Sequence, residues 1–227
     1  MDLFQYYFIY FLLPLAITLW AQISVKSAYS KYSKVNIGIG MTGYDTARRI
    51  LDSNGLYHVD IEHIAGEMTD HYDPRANVIR LSDGVYNSTS ISACGIAAHE
   101  AGHALQYAQS YGPIKFRMAI VKYANIGSQL ATPLFFLGLL LSFPILCEIG
   151  IIAFSLAVLF QLVTLPVEFN ASKRAKACIA SYGASNEDKK GVNKVLDAAA
   201  MTYVAALATS LLSLLRLIMI SRSNRRD

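Results

Sequence analysis

From Leu130 to Pro166 the chain runs for 37 positions with a single charged residue, Glu148. As an α-helix that stretch is about 55 Å long, against a hydrocarbon core of about 30 Å. It is too apolar for a solvated surface and too long for one crossing of a bilayer. Pro144 interrupts it near the middle, and Glu148 follows at once. The pattern predicts a helical hairpin with a tight turn around Phe143–Glu148. Composition agrees with a membrane chain. Hydrophobic residues make up 54% and charged residues 16%, where an ordinary soluble domain carries about 25% charged residues. The apolar fraction and 11% aromatic content exclude a disordered chain. Three cysteines in 227 residues argue against a disulfide framework.

The basic residues divide the chain further. None of the twenty Lys and Arg precedes Lys26; ten lie from Lys26 to Lys122 and none from Tyr123 to Asn170. Six lie from Lys173 to Lys194, and the last four are Arg216, Arg222, Arg225 and Arg226. Charge-free blocks alternating with basic blocks are the mark of spans and loops. Tyr6–Ile23 reads as a retained anchor. Its chain start, Met-Asp-Leu-Phe, lacks the basic n-region of a cleaved signal peptide. Ala198–Ile220 is a further apolar stretch, with Arg216 near one end, where a long side chain reaches the interface. The expected division is a transmembrane anchor at 1–24, a loop domain at 25–122, a transmembrane hairpin at 123–167, a second polar loop at 168–197, and a transmembrane helix with a basic tail at 198–227. A hairpin separates the two loops, so both face one side. They hold sixteen of the twenty basic residues, which places them in the cytoplasm. The three arginines of the tail, read as disordered from Ser221 to Asp227, run against that rule.

The first loop reads as a small α+β region. Thr42-Gly-Tyr-Asp45 is a capping-box-like start, Ala47, Ile50 and Leu51 follow at helical spacing, and Asn54-Gly55 is the stop. Tyr57–Ile64 alternates as a half-buried strand. Asp70–Pro74 reads as a turn, and Asn77–Ser82 as a second strand closed by Asp83-Gly84. Ser88 or Ser90 caps a long helix running to about Gln109.

That helix contains His99-Glu-Ala-Gly-His103, the pattern H-E-x-x-H. Residues four apart share a helical face, so both imidazoles can reach one zinc ion. Glu100 points about a third of a turn away, where a carboxylate can take a proton from zinc-bound water and pass it to a leaving amine. The bland alternative is a helix whose histidines satisfy one another; two imidazoles at this spacing with a Glu between them favour the metal. A catalytic zinc needs a third protein ligand. No His follows His103, which rejects the metzincin continuation. A carboxylate must serve, or an upstream His. Glu148 and Asp227 fall on the opposite side, Glu187 and Asp188 read as solvated charge before Lys189-Lys190, and Asp197 begins the last span. Glu168 remains. It follows Pro166, opens a small-residue helix, and is costly in that apolar setting without a partner; a Glu interacting with the helix macrodipole is the rival reading. His58 and His63 flank a strand and read as exposed. His71 falls in the Asp70–Pro74 turn, with lining of the site as its second reading. Cys94, Cys147 and Cys178 read as non-ligands.

These residues resemble a known family. Thr42-Gly, Asp70-His-Tyr-Asp-Pro74, Arg80-Leu-Ser82, Ala97-Ala-His-Glu-x-Gly-His103-Ala104 and Pro166-Val-Glu-Phe-Asn-Ala-Ser172-x-Arg174-Ala175 are similar to the YugP-like neutral zinc metallopeptidases of bacterial membranes, over nearly the whole chain. The resemblance implies His99, His103 and Glu168 as ligands of one Zn2+ per chain and Glu100 as catalyst. More distantly the chain looks like the HtpX-type membrane peptidases, whose third ligand lies in a Glu-x-x-x-Asp pattern; here Ser172 stands at the Asp position.

The expectation is a mainly α membrane protein: about four transmembrane helices with a small zincin-like α+β catalytic region, the HExxH helix plus two short strands. Its function would be a zinc-dependent peptidase in the bacterial cell membrane, with its site on the cytoplasmic side and a peptide or membrane protein as substrate. Strand Asn77–Ser82 is a candidate to pair with an extended substrate. Asn170, Ser172, Arg174, Tyr182 and His71 are candidate supporting or substrate-contacting residues. The alternative is a membrane scaffold whose zinc staples the loops through four protein ligands. The basic residues follow the topology rather than forming an aromatic-interleaved stripe, so no nucleic acid is expected. No phosphate-binding glycine loop is present, so no nucleotide is expected. The sequence sets no oligomeric state.

Overall fold

The computed structural model describes residues 3–223. Its helices are α1 (Leu3–Tyr7), α2 (Leu13–Tyr32), α3 (Gly43–Ser53), α4 (Ile91–Ala108), α5 (Gly112–Leu140), α6 (Pro144–Ser181) and α7 (Asn186–Ser223), with a π-helical turn at Phe8–Leu12. The strands are β1 (Asp60–His63), β2 (His71–Asp73) and β3 (Val78–Leu81). The chain divides into two units. One comprises Met1–Gln22, Lys115–Pro166 and Thr202–Asp227; the other comprises Ile23–Ile114 and Val167–Met201.

The first unit is helical. Among the described residues three helical segments are long and apolar enough to cross a membrane: Gln5–Tyr32, Pro144–Ser181 and Asn186–Ser223. The expected hairpin is formed by α5 and α6, but its turn is Leu141–Phe143 rather than Phe143–Glu148. Pro144 does not interrupt a helix; it begins one, at the position where a missing N–H is no loss. Ser142 takes a left-handed φ of 52°, and the Phe143 N–H closes onto the Gly138 carbonyl. The first arm also starts earlier than expected, at Gly112, and includes Lys115, Arg117 and Lys122. The two arms meet through small residues. A Cβ on Gly127 would lie 2.7 Å from the Ala153 carbonyl, and one on Gly150 would lie 2.8 Å from that of Ala131. Such contacts let membrane helices approach without a hydrophobic driving force. Phe135, Cys147 and Leu217 are buried between the helices, whereas Leu15, Leu19, Leu140, Ile152 and Leu215 point outward. Arg216 holds its guanidinium 4.8 Å from the centre of the Phe11 ring. The expected disorder from Ser221 is corrected in part: Ser221–Ser223, with Arg222, form the last turn of α7, while Arg225, Arg226 and the rest of the tail lie outside the described residues.

The second unit is built around α4. Thr42 caps α3 as expected: its hydroxyl accepts from the Asp45 N–H while the Asp45 carboxylate accepts from Thr42. The two hydrogen bonds from Thr42, side chain first, hold the Asp45 carboxyl below the usual range. Ala47, Ile50 and Leu51 are buried beside the alanine-rich face of α4. Ser90 caps α4, accepting from Ala93, and Gln109 is the C-cap that follows its last residue, Ala108. Nearly all of its side chains are buried, so any polar group it carries needs a partner.

The sheet has three strands, not two, in the order β1-β3-β2. β1 runs parallel to β3, and β2 runs antiparallel to it. The expected turn at Asp70–Pro74 is therefore displaced. His71–Asp73 is a strand, and the chain reverses over Pro74–Asn77, where the Asp73 carboxylate accepts from the Arg75 N–H and Asn77 takes a φ of 56°. On the outer face Arg80 pairs with Glu62 of β1 and Asp73 of β2, tying the strands together. Because β3 is the central strand, both of its edges are taken, and it has no edge to offer an extended substrate. Two further expectations change. Asp188 is buried at 6% exposure and accepts from Gly38 and Ser185, so it is not solvated charge. Glu168 does not open a helix: α6 runs through Pro166 without a break. It lies in the interior of α6, many residues from either end, so the reading of a Glu at the N-terminus of its own helix does not hold.

Candidate metal centre

His99 and His103 lie one turn apart on α4, and Glu168 reaches them from α6. His99 Nε2 is 3.2 Å from Glu168 Oε2 and 3.2 Å from His103 Nε2; His103 Nε2 is 3.5 Å from the same carboxylate oxygen. These three form the metal-capable group among the described residues. A tetrahedral zinc with bonds of about 2.0–2.1 Å spaces its donors about 3.3–3.4 Å apart. The three atoms therefore already stand as one face of such a tetrahedron. The donor set also fits: two imidazoles and a carboxylate, all largely buried. Burial disfavours a charged His103, but Glu168 and Glu100 outweigh it and raise its pKa above the ordinary histidine value.

Glu100 stands apart from this group. Its Oε2 accepts from the backbone N–H of Tyr72, 3.0 Å away, on the edge of β2 not paired to β3. The Tyr72 ring packs edge-on against Tyr107 of α4, and its hydroxyl donates to Asn77. Burial, followed by Tyr107 and Asp73, raises the Tyr72 pKa.

The other candidate residues divide between the site and elsewhere. Ser172 Oγ is 3.1 Å from His99 Nδ1, on the ring's far side from Glu168. Asn170 Oδ1 accepts from Arg174 Nε at 2.7 Å, and Arg174 also donates to Gln109 on α4. Tyr182 is not with them; its ring faces the Arg49 guanidinium at 4.3 Å. His71 is exposed on β2 and contacts the Thr69 carbonyl and Arg80. Cys94 is buried away from the cluster, where desolvation pushes its thiol up to about 11.

The H-E-x-x-H pattern does not single out Gln106, yet the residue joins the site. It is fully buried, one turn beyond His103, and its Oε1 is 3.1 Å from His103 Nδ1. The spacing His103-Ala-Leu-Gln106 was the available signal, since i and i+3 share a face.

Close approach of α4 and α6 sets the cluster's dimensions. A Cβ on Gly102 would lie 2.8 Å from the Ala171 carbonyl, between the turns that carry Glu168 and Ser172. Gly102→Ala must push the helices apart. It is expected to destabilise the protein by about 1–3 kcal/mol and to weaken zinc binding. A thermal melt and a chelator competition on the purified variant check both effects.

The fold and site define a protein of apolar helices with a buried two-histidine, one-carboxylate metal-capable group. The chain matches the family described as "Putative neutral zinc metallopeptidase" over residues 7–222. It is 54% identical over 214 residues to "Putative membrane protease YugP" of Bacillus subtilis (strain 168), covering 94% of this chain and 95% of that protein. The chain belongs to this neutral zinc metallopeptidase family. No solved structure matches it.

Proposed function

We propose that the chain is a membrane-embedded zinc metalloendopeptidase that hydrolyses peptide bonds. The observation that carries this reading is the 3.2–3.5 Å spacing of His99 Nε2, His103 Nε2 and Glu168 Oε2, one face of a tetrahedron. Those three residues would hold one Zn2+ per chain, leaving a position for water or substrate. A zinc ion bound there would acidify a water and polarise a carbonyl. Glu100 accepts the proton from the attacking water and delivers it to the departing amine. The Tyr72 N–H holds the Glu100 carboxylate from behind. The edge of β2 that is not paired to β3, rather than β3 itself, lies beside Glu100 and is where an extended peptide would align.

In this reading α5 joins the three apolar helices as a fourth span of a bacterial cell membrane. The basic loops and the site face the cytoplasm. Glu168 follows the apolar stretch of α6 directly, so the substrates would be peptide segments at the bilayer surface, including membrane proteins. Neither nucleic acid nor nucleotide takes part. A structural staple would need a fourth protein ligand, and the metal-capable group among the described residues has three.

The test is cleavage of a quenched fluorescent peptide library by the full chain in detergent. Cleavage is expected to disappear on chelation and to return with added Zn2+. A zinc-loaded protein that cleaves neither peptides nor an unfolded membrane protein would overturn the reading.

A further inference from the structure

Beside the metal-capable group lies one buried polar side chain that belongs neither to the three donors nor to the proton-handling Glu100. Gln106 is fully buried on α4, and all three of its contacts have a forced direction. One amide atom lies 2.8 Å from the Val167 backbone carbonyl. A carbonyl can only accept, so that atom is the Nε2 amide and it donates. The same nitrogen lies 3.0 Å from Asn170 Oδ1. Asn170 is oriented in turn by Arg174, which can only donate and whose Nε is 2.7 Å from that oxygen. Both Gln106 amide protons are thereby committed, and its Oε1 is the atom left facing His103 Nδ1 at 3.1 Å. An oxygen acceptor there demands a proton on Nδ1. A neutral imidazole carries one proton only, so His103 Nε2 presents a lone pair to the cluster.

We infer that Gln106, oriented through Val167, Asn170 and Arg174, is a positioning residue that fixes His103 in its Nδ1–H form and turns Nε2 toward the metal. The inference rests on reading His99, His103 and Glu168 as a zinc site. It assigns a task to a residue that touches neither the metal nor the substrate. It also accounts for Asn170 and Arg174, whose polar groups form the outer end of the same chain. Partners behind a metal-bound histidine commonly fix its tautomer and ring orientation in this way.

Two measurements on the full chain in detergent test the inference. In the first, the metal-free wild type with 15N-labelled histidine is examined by NMR at alkaline pH, where the imidazoles are neutral. His103, assigned by loss of its signals in His103→Ala, is expected to carry its proton on Nδ1. In the second, zinc affinity is measured by chelator competition for wild type and Gln106→Met, which keeps length and removes both amide functions. The variant is expected to bind zinc about 10–100-fold more weakly, with His103 redistributed toward the Nε2–H form. A wild-type His103 protonated on Nε2 overturns the inference, whether or not the variant folds. So does a folded Gln106→Met whose zinc affinity stays within about threefold of wild type, well short of the loss an outer partner carries. Neither measurement uses peptide cleavage, so a failure of the peptidase reading shows separately in the assay described above.

Discussion

Replacing Glu100 with Gln is expected to leave zinc bound and to cut peptide cleavage by about 10²–10⁴-fold, the usual contribution of a positioned general base. Gln keeps the volume and the oxygen that accepts from the Tyr72 N–H, so the local packing on β2 is preserved. What disappears is the capacity to take a proton. Glu100 is not one of the three convergent donors, so the metal-binding atoms are untouched. Zinc content by atomic emission and cleavage of a fluorescent peptide, measured on the same preparation, separate the two effects. Undiminished cleavage would remove Glu100 from its assigned role. Loss of zinc would show that the residue serves the metal instead of the proton.

Glu168→Ala is expected to abolish stoichiometric zinc binding. The substitution takes away the only carboxylate in the metal-capable group and leaves two imidazoles on one helix. The loss should exceed the about 10–100-fold that removal of an outer partner produces. The helices themselves have other reasons to stay together. Gly102 packs against the Ala171 carbonyl, and Ala175 and Ile179 of α6 belong to the buried core around α4. Circular dichroism of the variant should therefore retain the wild-type helical signal. A staple would behave differently: without Glu168 the region would unfold. Retention of one zinc per chain in Glu168→Ala would reject the ligand assignment outright.

Much of the local structure can be read before any tertiary contact is known. The Thr42–Asp45 box and the Asn54-Gly55 stop of α3 follow from orphan backbone groups that only nearby side chains can satisfy. The pairing of His99 with His103 on one face follows from the helical period alone. Glu168 can be reached as well, by elimination among a small number of acids in a chain whose apolar stretches make an isolated carboxylate costly.

Other features have no local signal. His71–Asp73 is a three-residue strand with no apolar alternation, held by its pairing with β3. Pro166 reads as a helix boundary because it removes one backbone donor and crowds the preceding turn, yet α6 continues through it. Asp188 stands beside two lysines and reads as solvent-exposed, but the Gly38 and Ser185 groups bury it as an acceptor. Tyr182 follows the second polar loop's helix toward Arg49 rather than toward the histidines. Gln106 carries the motif's spacing, but its significance depends on Val167 and Asn170, more than sixty residues away.

The amino-acid order therefore dictates what is set within a few residues: the charge-poor apolar stretches, the caps, and two imidazoles and a carboxylate along one turn-and-a-half of α4. Those outcomes depend on backbone geometry and on transfer from water, which act locally. The approach of α4 to α6 is decided by packing, at Gly102 against Ala171, where one absent methyl group sets the distance. That approach brings Glu168 to within 3.2 Å of His99 across 69 residues of chain and turns a helical motif into three atoms spaced for a metal.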